Sequence, residues 1–259
     1  MTDTILVQRD AAIATVVLNR PDKLNALTHT MWQQLAEAFR RLDADDDLRC
    51  IVIRGAGTQA FAPGNDIAEF ATERSNVEQA RAYGDDMRRT IEAIGGCRHP
   101  IVAQIHGICV GGGLEIAGLA DIRICGQSSR FGVPINRLGL VMAHAELGAL
   151  IALVGEATAL EIVLEGRIFD AREAYDKRLV TRVVPDDRVE PEARATAQRI
   201  AAGAPLVARW HKRFARRLRD PAPLTAAEHA EGFACFATED FQAGYRAFLA
   251  KQPPVFTGK

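Results

Sequence analysis

The segment IHGICVGGGLE, positions 105–115, holds the residue types and spacing best suited to chemistry. A strand-like run ends at His106, glycines stand at 107, 111, 112 and 113, and a helix-like run begins with Glu115 near its start. Glycines in such a place let backbone N–H groups approach a ligand at the positive end of a helix, which suits an anion. The dinucleotide pattern GxGxxG fails because Ile116 fills the last glycine position. Glu115 also argues against a permanent phosphate, since two fixed negative charges would repel. A charge that forms only transiently, such as a thioester enolate, fits better. A tight strand–helix turn packed on another helix would use the same glycines, so this segment alone leaves both readings standing. A second segment, AFAPGNDI at 60–67, is also a strand exit into a glycine turn and offers another N–H. Two backbone donors converging on one oxygen make an oxyanion hole.

Other chemistries lack their residues. The six histidines (29, 99, 106, 144, 211, 229) form no HxxxH or HExxH arrangement, so metal-dependent hydrolysis is a poor fit. Ser75, Ser128 and Ser129 are the whole serine complement, and none sits in a GxSxG elbow. No GxxxxGK[ST] phosphate loop is present.

The elements that must position these turns alternate along the first 190 residues. Residues 12–19, 50–54, 101–106, 121–125 and 179–184 are short, β-branched and bounded by Gly, Pro or Asp, and read as strands. Between them, an apolar stripe at helical spacing starts from the N-cap candidate Thr28 and runs through Met31, Leu35, Ala38 and Phe39. Further helices are expected at 77–94, 112–120, 146–153 and 157–164. The long interval 56–100 carries Pro63, Gly64 and a charged stretch, and part of it reads as a mobile loop over a site. From Pro191 onward strand signals stop. Three helical segments follow, broken at Ala204-Pro205, at 220–223 and near Thr238. The expected organisation is an α/β core over 1–195 and a helical C-terminal region over 196–259.

Composition narrows the class. With 259 residues, 48% hydrophobic and 25% charged, the chain has the make-up of an ordinary globular protein rather than a disordered or fibrous one. Its apolar runs fall short of the ~20 residues a bilayer needs. Thirty-two basic and 33 acidic residues leave a net charge of −1, so no overall field draws it to nucleic acid or lipid. Five cysteines, odd in number and without a CxxC pair, together with an N-terminal MTDTILVQRD that lacks secretory features, suggest a reducing, cytoplasmic location.

Six ordered segments resemble the crotonase (enoyl-CoA hydratase/isomerase) superfamily: LNRPDKLNAL at 18–27, FAPGNDI at 61–67, HGICVGGGLE at 106–115, ADIRI at 120–124, FGVP at 131–134 and FATEDF at 236–241. The resemblance covers nearly the whole chain. It implies an α/β fold, a crotonase-like spiral of ββα units, with a helical C-terminal region that trimerises, often as a dimer of trimers. The implied ligand is an acyl-CoA, with coenzyme A as part of the substrate and no separate cofactor. By matching position, the backbone N–H groups of Asn65 and Gly112 would hold the thioester oxygen and Glu115 would be catalytic. The implied substrate contacts are Lys23, Leu24, Ala60, Ala62, Asp66, Ile67, Gly111 and Ile135. Phe248 and Lys251 would reach the nucleotide end from a neighbouring subunit.

The chain departs from the family pattern at one chemically decisive place. Hydratases of this family resemble one another in carrying a second glutamate after the F-G-x-P stretch, where this sequence has Ile135. An isoleucine can neither hold nor move a proton. Glu146 or His144 could stand in, and each has an alternative as a structural residue on the following helix. Asn136 and Arg137 could line the acyl pocket or lie on the surface. Enoyl-CoA hydratase is the leading expectation, with a double-bond isomerase or a decarboxylase as alternatives, because these need the oxyanion hole but not both glutamates. A different class, a non-catalytic homologue binding CoA or nucleic acid, rests on RWHKRFARRLR at 209–219, where six of eleven residues are Lys or Arg. A docked helix with a solvated basic face explains the same run.

Overall fold

The computed structural model describes residues 3–259; Met1 and Thr2, the start of the N-terminal segment considered above, lie outside them. Its strands in chain order are β1 (Ile5–Asp10), β2 (Ile13–Leu18), β3 (Cys50–Gly55), β4 (Ala60–Ala62), β5 (Ile101–Ile105), β6 (Ile108–Val110), β7 (Ile122–Gly126), β8 (Arg130–Gly132), β9 (Phe169–Asp170) and β10 (Arg182–Val184). The helices are α1 (His29–Asp43), α2 (Phe70–Glu73), α3 (Val77–Gly96), α4 (Gly112–Gly118), α5 (His144–Val154), α6 (Glu156–Glu165), α7 (Ala171–Asp176), α8 (Val189–Ala201), α9 (Pro205–Arg217), α10 (Ala226–Glu231) and α11 (Glu239–Leu249).

Two sheets share the strands. The larger is ordered β1-β2-β3-β5-β7-β10 and the smaller β4-β6-β8-β9. Apart from the antiparallel pairs β1–β2 and β8–β9, all neighbours are parallel. The chain therefore places one long strand in the large sheet, one short strand in the small sheet, then helix, and repeats: β3–β4, β5–β6 and β7–β8 are successive turns of this ββα spiral. Central strands such as IVAQI of β5 are buried throughout, as parallel strands covered on both faces must be.

The five strands read from sequence are present with ends shifted by a few residues, whereas β1 and the whole small sheet were not anticipated. The reason is length. Strands of two or three residues carry no alternation to detect, and β1 is an antiparallel edge whose last four residues are exposed. The interval 56–100 carries α3 where a helix is expected at 77–94, and the short helix α2 in the part read as a loop. It is largely helical, because Asn76 caps α3 by accepting from the Gln79 N–H (2.9 Å) and Thr90 of α3 donates to the Trp32 carbonyl of α1 (2.7 Å). The expected division at 195/196 falls inside α8. Ala193 and Ala197 of that helix pack with Cys50, Val52, Val102 and Ile124 against the large sheet, so the α/β layers extend through α8.

Beyond α8, the basic helix α9 turns most of its cations onto its own chain. Lys212 donates to the His99 carbonyl (2.6 Å) and pairs with Asp121 (2.6 Å). Arg216 donates to the carbonyls of Gly96 (2.7 Å) and Cys97 at the end of α3, where a cation complements the helix dipole. Arg209 donates to the Asp46 carbonyl (2.7 Å), Arg213 pairs with Glu231 and Arg217 with Glu228. Cations held this way serve docking and are not free to track a phosphate backbone. Among the described residues, no helix is long and apolar enough to cross a membrane.

Candidate active site

Two strand exits meet on the lining of a cavity of about 550 Å³. One follows β4, the other joins β6 to α4. The first is pinned from below by the segment 18–27. Leu27 donates to the Gly64 carbonyl and accepts from the Asp66 N–H, both at 2.8 Å. Arg20 pairs with Asp66 (3.0 Å) and donates to the Ala26 carbonyl (2.7 Å). Buried Asn25, in left-handed backbone at φ 66°, donates to the carbonyls of Ala56 (3.1 Å) and Ala60 (2.9 Å). These bonds explain what the LNRPDKLNAL residues do: they clamp one turn in place.

Glycine is required where the turns touch. Gly64 has φ 109°, and a Cβ there would stand 3.3 Å from the Gly112 amide nitrogen. A Cβ on Gly113 would overlap the Ala62 carbonyl oxygen. The turns thus abut through bare backbone, with the amides of Asn65 and Gly112 on the cavity lining. Among the described residues, neither amide has a hydrogen-bond acceptor. For Gly112 this follows from its place as the first residue of α4, whose leading N–H groups have no intrahelical partner. The Asn65 side chain is already committed: its Oδ1 accepts from Trp32 Nε1 (2.8 Å) and its amide nitrogen lies 3.9 Å from Met87 Sδ.

Glu115 and Glu146 come together at the inner end. Both line the main cavity and a second, smaller space of about 10 Å³, walled by apolar side chains such as Ile91, Leu114 and Leu150. Glu115 as a whole is half-buried and Glu146 is 6% exposed. In each, Oε2 is sealed from solvent with no hydrogen-bond partner among the described residues. Burial pushes the Glu115 carboxyl up to about 8, the neighbouring Glu146 adds to the rise, and Arg74 opposes it. Two partnerless carboxylates facing one small space are unfavourable for folding, and such pairs cluster where proton transfer is carried out.

The expected residues divide. Gly111, Gly112, Asn65, Ile67, Glu115, Ile135 and Glu146 line the cavity. Asp66 does not: its carboxylate pairs with Arg20 and caps the Ala68 N–H (3.1 Å), so its task is to hold the turn. Ala60 and Ala62 are buried within β4 and lie off the lining, while Lys23 is exposed and Leu24 half-buried beside that strand. Phe248, 82% exposed, and Lys251 lie away from the cavity of their own chain. His144 is exposed and off the lining, so it cannot replace the missing group at 135. Asn136 is tied to the Leu164 carbonyl (2.9 Å), and both it and Arg137 are exposed. Arg74, Phe70 and Met87 on the α2–α3 side were not singled out from sequence. Only their place in the charged interval after the Gly64 turn hinted at them.

Residues 8–259 match the enoyl-CoA hydratase/isomerase family. The chain belongs to that family. It is 36% identical to a probable enoyl-CoA hydratase of Mycobacterium tuberculosis over 98% of each chain. It is 29% identical to the crotonyl-CoA hydratase of Syntrophomonas wolfei over 99% of each. A solved structure of an enoyl-CoA hydratase/carnitine racemase from Magnetospirillum magneticum superposes with a TM-score of 0.97 at 53% identity, over 100% of this chain and 97% of that one. Family membership and the ββα spiral agree with what the ordered motifs implied.

Proposed function

We propose that the protein hydrates a 2-enoyl-CoA thioester, with Glu115 and Glu146 as the proton-moving pair and the amides of Asn65 and Gly112 as the oxyanion hole. The observation that carries this reading is the pair of sealed, partnerless carboxylate oxygens at the inner end of the cavity. The carboxylate absent at 135 is supplied from 146, one helical element later. Glu115 keeps its proton to about pH 8 and is the acid; Glu146 is the base. In the forward direction Glu146 takes a proton from water, the hydroxyl oxygen bonds to the β carbon, and the double-bond electrons move to the thioester oxygen as an enolate. Glu115 then delivers its proton to the α carbon. Two backbone donors on the enolate oxygen are worth about 2.7–4 kcal/mol of barrier each. Because both are main-chain groups, their function does not depend on the Asn65 side chain.

Coenzyme A enters as part of the substrate, with Lys23, Leu24 and the β4 strand along its path, and no further cofactor takes part. Oligomerisation as a trimer or dimer of trimers is supported by the apolar side chains the C-terminal region leaves uncovered, among them Phe233, Phe236, Tyr245, Phe248 and Leu249. In that assembly Phe248 and Lys251 serve a neighbour's nucleotide end. A cytoplasmic site of action fits the five free cysteines. The test is purified protein with crotonyl-CoA, following loss of the conjugated enoyl absorbance and identifying the product. A 3-hydroxyacyl-CoA is expected. A shifted double bond with no hydroxyl incorporated would replace hydration by isomerisation.

A further inference from the structure

Arg74 follows α2 directly, in the short link to α3, and among the described residues is the only cationic side chain on the cavity lining. Its guanidinium carbon lies 4.9 Å from the Phe70 ring centroid and 4.8 Å from that of Tyr83, so aromatic rings flank the group. The residue is half-buried, and among the described residues its guanidinium meets aromatic rings and no carboxylate or carbonyl. Of the acids around it, Glu115 feels its charge but has no hydrogen-bond partner, while three others are spent elsewhere. Glu69 accepts from the His29 backbone N–H (2.8 Å) and Glu73 meets the His29 ring (3.2 Å). Asp86 meets His29 (2.9 Å), Gln33 (2.7 Å) and Arg89 (2.6 Å). A planar cation held between two rings is pre-oriented and poorly hydrated, which fits it to bind a carboxylate in two-pronged fashion. Phe70, Ile67, Ala80, Met87 and Leu138 give the rest of the lining near α2 and α3 an apolar character, so a charged acyl group has one place to go.

We propose that Arg74 determines substrate specificity by binding a free carboxylate at the far end of the acyl chain, so that the preferred substrates are CoA monothioesters of dicarboxylic acids. This rests on the acyl-CoA reading of the cavity but not on which reaction follows. Glu115, protonated below about pH 8, adds no opposing charge to such a group in the neutral range.

The test uses saturated thioesters, which cannot be hydrated, so that binding is read apart from turnover. Calorimetric titration with glutaryl-CoA and with butyryl-CoA compares a carboxylate-bearing acyl chain with an uncharged one. Glutaryl-CoA is expected to bind about tenfold or more tightly, the range of a charged hydrogen bond. Arg74→Met is expected to remove that preference while leaving butyryl-CoA affinity within about twofold, and Arg74→Lys to restore part of it. Equal affinity of the unaltered protein for the two thioesters would overturn the proposal, and this arm needs no variant to fold. An equal loss for both thioesters in Arg74→Met would also overturn it, by giving Arg74 a structural role only. Glutaryl-CoA preferred while neither crotonyl-CoA nor glutaconyl-CoA is hydrated would instead count against the hydratase reading alone.

Discussion

The cavity has two ends made in different ways. One end is backbone: two strand exits, held together by glycines and by the Asn25, Arg20 and Asp66 clamp, present main-chain N–H groups. Its inner end and its α2–α3 side are side chains: Glu115, Glu146 and Arg74, carried on α4, α5 and the link before α3. Backbone donors tolerate change in the residues that carry them, as long as the turn is preserved. Side-chain chemistry depends on which residue projects into the space, yet it can be supplied from a new position. In the proposed mechanism the second carboxylate comes from 146, which lines the cavity, while Ile135 adds apolar lining. The backbone end is therefore fixed by conformation and the side-chain end by placement.

Substitutions at the two ends should differ accordingly. The largest effect is expected from Glu115→Gln, which preserves shape and removes the proton. Turnover of crotonyl-CoA should fall about 10²–10⁴-fold while affinity for the thioester is nearly kept. A similar loss in affinity would mean that Glu115 holds the substrate rather than moving a proton.

The same variant sharpens the contrast through pH. Glu115 titrates near 8 in the folded protein against 4.5 in an unfolded chain, so the folded state binds the extra proton between those values. That contribution to stability is complete below pH 4.5 and lost as pH rises through 8. Glu115→Gln cannot ionise, so its melting temperature relative to the unaltered protein should rise by roughly 10 °C between pH 5 and pH 9. A constant difference across that range would place the Glu115 carboxyl in contact with water.

At the backbone end, Asn65→Ala should weaken the fold more than the chemistry. It leaves Trp32 Nε1 without its acceptor, a loss of about 1–3 kcal/mol in thermal or denaturant unfolding. The main-chain N–H survives, so turnover at saturating substrate should stay within about tenfold. A collapse of turnover without a loss of stability would assign the catalytic part to the amide side chain. The smallest effect is expected from His144→Ala, with steady-state constants changed less than about twofold, because its ring is exposed and off the lining.

Much of this could be read from residue order, and the parts that could not have physical reasons. The glycine turns were legible because only glycine fits a φ of 109° beside another backbone, and α1 announced itself through Thr28 and an apolar stripe. The small sheet was not, since strands of two or three residues leave no period. The part Asp66 plays in holding the turn was not legible, because its spacing shows proximity to the turn and not the direction of its carboxylate. Glu146 was one of two candidates, and burial separates it from exposed His144 two residues earlier. Arg74 was lost within a charged stretch, where only three-dimensional packing shows which acids are paired with His29 and which cation is left without one.

The paired action of Glu115 and Glu146 is tested most directly by turnover of crotonyl-CoA in Glu115→Gln, Glu146→Gln and the double variant, with thioester affinity measured alongside. If the two carboxylates work as a unit, each single change lowers turnover about as far as both together, and affinity is nearly constant. If Glu146→Gln turns over within about twofold of the unaltered protein, the second proton does not pass through residue 146, and the paired mechanism is wrong.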